Sequence, residues 1–416
     1  VWASFVGTAL ESYDFYVYAY FAAFFAGPLF FEPLGVAGAT LASFATIGVA
    51  FVIRPVGAIL FGHLGDHIGR RKTLLYTVLL MGVATGAIGL LPGYETSGWL
   101  GAVLLVFLRL LQGLSVGGEW GGAILLATEH SKDRRARAFY AALPQLGSPV
   151  GSILSAALFI LLTTALTPED LSAWGWRIPF LTAIPLLLVS LYLRWSIDET
   201  PQFNAVVAEG KRVRVPLAAV LREHPRAVVV GIATALLGIG SYSLMNTYTI
   251  NYGTAVLGFE YSELLIATTI GGLLQLVTIP AFGALAARIG SAKVVAWGAL
   301  GTLLVTFPMY LLLQAATFPI LVATMIIGGI LPTLSWAALG GTLNELFPSR
   351  YRYTALGFTY SLAAVISGFV PLATGALGNA TDFAWWHPGI VLALMSAITL
   401  VGALAALRLP REDEEL

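Results

Sequence analysis

The chain has no cysteine, so disulfides, thiolate nucleophiles and thiolate-held clusters are excluded. Charge is scarce too. Asp, Glu, Lys and Arg make up 11% of the 416 residues, against about 25% in an ordinary soluble domain. The 22 basic and 22 acidic residues cancel, so no net field points to nucleic acid or to an acidic partner. Five histidines, His63, His67, His130, His224 and His387, show no zinc-like spacing. No Gly-Lys-Ser/Thr phosphate loop occurs, which argues against an ATP-driven pump. An enzyme is therefore not expected, nor is a metal or cofactor. A basic leader with a small-residue cleavage site is also missing: the first apolar stretch carries Glu11 and Asp14 and reads as a mature helix.

What fills the chain is apolar sequence. Hydrophobic residues reach 58% and the mean hydropathy is +0.84, more apolar surface than a soluble fold could hide. Runs long enough to cross a bilayer recur at 2–27, 38–64, 73–91, 98–128, 138–164, 175–196, 226–253, 262–287, 292–315, 318–343, 352–378 and 386–408. The expected fold is all-α and integral to the membrane, with twelve transmembrane helices. Alternate connections are basic: Arg70, Arg71 and Lys72; Lys132, Arg134, Arg135 and Arg137; Lys211, Arg212, Arg214, Arg222 and Arg226; Arg288 and Lys293; Arg350 and Arg352. The others hold Glu32, Glu95, Glu169, Asp170, Glu260 and Asp382 with almost no Lys or Arg. The positive-inside bias then predicts a multi-pass protein of the cell membrane with both termini cytoplasmic.

The longest polar connection, 197–225, divides the chain into a six-helix bundle at 1–196 and another at 226–416, the latter ending in a short cytoplasmic tail. A weak parallel repeat supports the division. Gly62-His-Leu-Gly-Asp66-His-Ile-Gly69-Arg-Arg-Lys72 follows span two, and Gly283-Ala-Leu-Ala-Ala287-Arg-Ile-Gly290-Ser-Ala-Lys293 follows span eight. Glu129 with Arg134 and Arg137 is echoed by Glu345 with Arg350 and Arg352. Two such halves suit alternating access around a site held between them.

The 62–72 segment resembles the Gly-x-x-x-Asp-x-x-Gly-Arg-Arg-Lys signature of the major facilitator superfamily. Three further segments resemble its metabolite:proton symporter branch, which includes shikimate, 2-oxoglutarate, citrate and proline/betaine transporters. They are Gly7-Thr-Ala-Leu-Glu11-Ser-Tyr-Asp14-Phe-Tyr16, then Arg109-Leu-Leu-Gln112 through Gly-Gly-Glu119-Trp120-Gly-Gly, and Trp174-Gly-Trp-Arg177-Ile-Pro-Phe180 followed by Glu199-Thr-Pro. The resemblance implies a secondary active symporter driven by the proton gradient. Its partners would be protons, a small polar metabolite and the lipid bilayer, acting on a monomer. Ala287 stands where the first copy has Asp66, so gating is expected to rest on the N-terminal loop.

Five ionisable residues lie deep in apolar spans: Glu11, Asp14, Arg54, Arg109 and Glu119. Each costs roughly 2.5–3.5 kcal/mol at a helix centre, and such residues mark ion and substrate paths. Three acids against two bases leave one negative charge over, which a low dielectric resolves by binding a proton. Asp14 is the first candidate for proton coupling, followed by Glu11 and Glu119. Glu11, Asp14 and Tyr18 share one face of helix one, expected to line the cavity. Arg109, Gln112 and Glu119 lie near one stripe of helix four. Arg109 and Glu119, about 15 Å apart in axial rise, must each find another helix or a ligand. Arg54 and Arg109, with Gln112 and Tyr18, are candidate contacts for an organic carboxylate. The alternative is structural: the arginines tie helices together. A zwitterion such as proline or betaine, or uncoupled facilitated exchange, also stays open.

In the second half Tyr242, Asn246 and Trp336 are candidate substrate contacts, neutral donors beside aromatic walls. Helix packing would equally explain them. Asp66, Arg70, Glu129 and Arg137 are candidate gating residues, with Asp66 able to cap a neighbouring helix and release it. Gly113, Gly117 and Gly121 form a small-residue face that permits close helix approach. Trp99, Trp174, Trp176, Trp385 and Trp386 sit at span ends and read as an interfacial belt.

Overall fold

The computed structural model describes residues 2–129, 131, 133–196, 198–200, 203–204, 208 and 216–409. Lys132, Lys211, Arg212, Arg214 and the acidic tail at 411–416 therefore lie outside the described residues, as does most of the polar connection at 197–225.

Among the described residues the structure is helical, in twelve rods. The first is α1 (Trp2–Phe21), extended by a π-helical turn (Ala22–Ala26) to Phe30. The second joins α2 (Gly35–Val52) to α3 (Arg54–Ile68), with Pro55 in the first turn of α3. Then come α4 (Arg70–Ile88), α5 (Trp99–Thr128), α6 (Arg134–Ala142) running into α7 (Gly147–Ala165), and a sixth rod that runs from Gly175 through short turns at Gly175–Arg177 and Ile178–Leu181 into α8 (Ala183–Trp195). After the short α9 (Pro216–Glu223), the seventh rod joins α10 (Pro225–Ser243) through a π-helical turn (Leu244–Tyr248) to α11 (Thr249–Ala255). The rest are α12 (Tyr261–Ile289), α13 (Ser291–Leu313), α14 (Phe318–Leu346), α15 (Arg352–Gly368) with α16 (Val370–Ala380), and α17 (His387–Ala406). Ten rods are long and apolar enough to cross a membrane. In the other two, Glu11 and Asp14 dilute α1 and the Arg70-Arg71-Lys72 start dilutes α4.

Packing follows the solvent the chain is built for. Large apolar side chains such as Leu90, Val103, Leu188, Val277, Leu304 and Val401 stand exposed on the outer faces, while Thr77, Thr85, Ser115, Thr234, Thr302 and Thr399 are buried. Many inward hydroxyls bond to a carbonyl, often of the preceding turn, as Thr234 does to Val230 and Thr302 to Gly298. A buried polar group is thereby satisfied without a partner helix. Trp99 and Trp174 are 47% and 45% exposed, as an interfacial belt requires. Trp176 corrects the same expectation: it is 1% exposed, packed on Phe21 with ring centroids 5.0 Å apart and edge-on to Phe180.

The internal repeat survives in backbone geometry. Gly69 (φ 110°, ψ 155°) separates α3 from α4, and Gly290 (φ 100°, ψ 140°) separates α12 from α13. Both φ values lie where a side chain is strained, so glycine recurs at the same turn of each half. The small-residue face of α5 also has its expected role: a Cβ on Gly113 would overlap the carbonyl of Ala50, and one on Gly117 that of Arg54. Replacing Gly117 by Val should lower stability by about 1–3 kcal/mol, read as a fall in the unfolding temperature of the detergent-purified protein.

Candidate functional site

A cavity of about 150 Å³ lies between the halves at mid-depth, room for a ring-sized solute. Glu11 and Tyr16 from α1, Arg54 from α3 and Trp120 from α5 face Tyr242 and Asn246 of the seventh rod, Gln275 of α12, Thr333 and Trp336 of α14, and Tyr360 of α15. Aromatic rings make much of the wall. Trp120 and Tyr360 stack across the two halves with centroids 4.1 Å apart and planes within 5°. Tyr16 meets Tyr242 edge-on at 5.8 Å. Gln145 ties the halves together behind them, accepting from Trp120 Nε1 and donating to the carbonyl of Trp336, both at 3.4 Å. Arg54 rests its guanidinium over Phe51 at 4.1 Å. Its Nε and the Oε2 of Glu11 are buried with no hydrogen-bond partner.

Five of the proton-coupling and substrate candidates, Asp14, Tyr18, Arg109, Gln112 and Glu119, fall elsewhere. Asp14 and Tyr18 leave the cavity because helix one turns that face into its own bundle, against α2, α4 and α5. Asp14 Oδ1 accepts from Thr85 Oγ1 at 2.6 Å and from Gln112 Nε2 at 2.7 Å. The Gln112 carbonyl in turn accepts from Arg109 Nη1 at 2.8 Å, so the amide stands between carboxylate and guanidinium and hydrogen-bonds to both. Arg109 lies 3.7 Å above the Tyr18 ring, whose hydroxyl meets Thr46 Oγ1 at 2.6 Å. Tyr18, Arg109 and Gln112 therefore do not line this cavity as expected. They form, with Asp14, a buried polar cluster one turn along α1 from Glu11.

Glu119 corrects the charge count. It pairs in a bidentate fashion with Arg194 of α8, the Nη1 to Oε2 distance being 3.0 Å, and accepts from Thr77 Oγ1 at 2.7 Å. Arg194 also donates to the carbonyl of Leu74 at 2.7 Å. Three buried bases, not two, face the three acids. The sixth apolar run ends just after Arg194, where a basic residue reads as a topology determinant, and no spacing in the sequence reveals that this side chain turns inward.

At the basic end the halves are latched. Asp66 accepts from the backbone N–H of Tyr353 (3.3 Å) and Thr354 (3.1 Å) and from Thr354 Oγ1 (2.8 Å), capping the N-terminus of α15 from the other half. Arg70 lies 3.7 Å from Asp66 and 3.4 Å from Glu129, and donates to the carbonyl of Ser349 at 2.9 Å. Arg134 forms a two-point pair with Glu345 rather than with Glu129, and Arg137 lies one turn further along α6. Sequence reasoning missed Glu199, which accepts from the N–H groups of Arg70 and Arg71 at the start of α4, and Tyr353, whose hydroxyl donates to the carbonyl of Gly118 at 2.8 Å. The Glu199-Thr-Pro segment was visible; its docking site was not.

Two repeated helical halves around a polar, aromatic-walled cavity define a membrane transporter. Residues 1–219 match the family model described as Sugar (and other) transporter, and residues 230–416 match that of the Major Facilitator Superfamily. The chain belongs to the major facilitator superfamily. It is 38% identical to the inner membrane metabolite transport protein YhjE of Escherichia coli K12, over 97% of this chain and 92% of that protein. The shikimate transporter of the same organism is also 38% identical, with the same coverage. The proline/betaine transporter of Salmonella typhimurium is 32% identical over 97% of this chain and 82% of its own length. Among solved structures, the proton:xylose symporter XylE bound to 6-bromo-6-deoxy-D-glucose superposes with a TM-score of 0.77 at 17% identity, covering 98% of this chain and 95% of that one. That likeness shows the shared fold.

Removing one partner of the buried Glu119–Arg194 pair leaves the other charge uncompensated. Arg194→Ala should cost about 3–5 kcal/mol, and Glu119→Leu combined with Arg194→Leu should cost less than the single change, as measured by thermal unfolding in detergent.

Proposed function

We propose that the protein is a proton-coupled symporter that imports a small organic carboxylate across the cell membrane by alternating access, with both termini cytoplasmic. The observation that carries this reading is the Asp14–Gln112–Arg109 cluster. It is a buried carboxylate with no direct cation, linked to an arginine through one neutral amide and set one helical turn from the cavity. Protonation of Asp14 weakens its hold on the Gln112 amide and so loosens Arg109. Asp14 thereby biases helix one, and with it the cavity wall, between two packings. Glu119, held by Arg194, serves to fix α5 against α4 and α8.

In the cavity Arg54 takes the substrate carboxylate, and Tyr242, Asn246 and Trp336 orient the rest of the solute. Relatives named for shikimate, proline and betaine support a solute of this size bearing a carboxylate. The two moving units are residues 1–196 and 226–416, with 197–225 as the cytoplasmic linker. The Asp66 cap on α15, with Arg70 and Glu129 beside it and Arg137 on α6, is the inner gate, here closed. Closed inside, the carrier offers its cavity to the outside.

Two measurements test the reading in proteoliposomes. Asp14→Asn should weaken uptake driven by an inward proton gradient and lower the number of protons entering per solute while leaving counterflow exchange; an unchanged number of protons per solute rejects Asp14 as a carrier. Asp66→Ala should open the gate: with Ser349→Cys placed in the naturally cysteine-free chain, thiol labelling should accelerate at least several-fold.

A further inference from the structure

Among the described residues the cavity contains one acid and one base, and neither is in an ion pair. Glu11 and Arg54 both line it, yet no ion pair joins them, and Glu11 Oε2 and Arg54 Nε are buried without hydrogen-bond partners. A carboxyl group and a guanidinium left open in a low-dielectric space make a site for a ligand that satisfies both groups. The charged groups acting on Glu11 are Arg54 of α3, Asp14 of its own helix, Glu119 of α5 and Arg194 of α8. Two of these are committed to each other in the Glu119–Arg194 pair, and Asp14 is held by Thr85 and Gln112. From the other half the walls facing Glu11 are uncharged: Ser241 and Tyr242 of α10, Gln275 of α12, Thr333 and Trp336 of α14, and Tyr360 of α15. Arg54 is thus the base within the cavity available to balance Glu11.

A monoanionic carboxylate entering this space has one cation to bind, and that cation is Arg54. Once the anion is seated, Glu11 is left as a desolvated carboxylate beside a second negative charge. The surrounding groups are neutral or already paired, so the resolution open to it is to take a proton. We propose that Glu11 is a second protonation site, filled as a carboxylate substrate occupies Arg54, so that a monoanion crosses with two protons, one on Asp14 and one on Glu11. Both protons come from the outer solution and leave to the inner one, and each cycle moves one net positive charge inward. Asp14 then serves the conformational step, and Glu11 reads the charge of the solute. A zwitterion would meet the same two groups differently: its carboxylate would sit on Arg54 and its cationic end on Glu11, which would stay ionised.

This inference rests on the symporter reading above, and the test separates the two. Wild type, Glu11→Gln and Asp14→Asn are reconstituted with the internal pH dye pyranine and offered shikimate, lactate, benzoate, proline and betaine. A proton gradient or a valinomycin-imposed potassium potential, negative inside, is applied in turn. Expected is carboxylate uptake by wild type that either force accelerates. Glu11→Gln should keep acceleration by the proton gradient and lose the response to potential, having become electroneutral, with half the protons entering per anion. Substrate quenching of tryptophan fluorescence, reported by Trp120 and Trp336 in the cavity, verifies that the variant still binds. If the proton gradient does not drive wild type, the symporter reading falls and this one with it. If it does, but potential has no effect on wild type, or Glu11→Gln stays electrogenic or stops binding carboxylates, the second site is rejected. Uptake confined to proline and betaine rejects it too, because Glu11 then holds a cation rather than a proton.

Discussion

A charge inside a membrane protein must find its partner within the protein, because lipid supplies none. The arrangement of the first six rods follows from that constraint. Glu119 and Arg194 satisfy it in full, each taking the other's charge and adding neutral bonds to Thr77 and the Leu74 carbonyl. Asp14 and Arg109 satisfy it in part, through an intervening glutamine amide. Glu11 and Arg54 leave the cavity's own polar atoms unanswered. The three pairs differ in closure, and the one that lines the cavity is the most open. A closed pair is rigid and suits a joint between helices; a partly open one can change state, and an open one can take a ligand.

The same accounting governs the seam between the halves. Asp66 spends its carboxylate on backbone N–H groups at the start of α15 rather than on a fixed cation, with Arg70 standing off at 3.7 Å. Bonds to a helix terminus are strong when in place and are replaced by water when the terminus moves away, so they hold two bodies together without welding them. Around this cap lie Arg70 with Glu129 and the half-exposed Arg134–Glu345 pair. Further in, the aromatic stack of Trp120 on Tyr360 and the Gln145 bridge close the cavity floor between the halves.

Glycine serves both purposes at different places. Along α5, Gly113 and Gly117 let two backbones touch, which welds the fourth rod to the second. At Gly69 and Gly290 it lets the chain turn sharply with positive φ, which sets the angle of α4 and α13 in each half. The first copy of this turn carries Asp66 and is capped from outside by Glu199; the second has Ala287 and lacks that carboxylate.

Sequence alone determined the number of rods, their limits to within a few residues, the repeat, and the concentration of deep charges in the first half. These follow from periodicity and composition, because every span must be apolar on the lipid side and every buried charge is conspicuous there. It also picked out Asp66 as a helix cap and Arg54, Tyr242, Asn246 and Trp336 for the mid-depth space, which the structure brings together around one cavity or seam. What only the tertiary structure decided is who faces whom. Glu11 and Asp14 are three residues apart and share a helical stripe, yet one looks into the cavity and the other into the bundle, since a helix packed on several neighbours divides a stripe between them. Arg194 was invisible as a partner for Glu119 because ion pairing depends on the rotation of two helices 75 positions apart in sequence. Rotation is fixed by packing, and packing is a property of all the helices together.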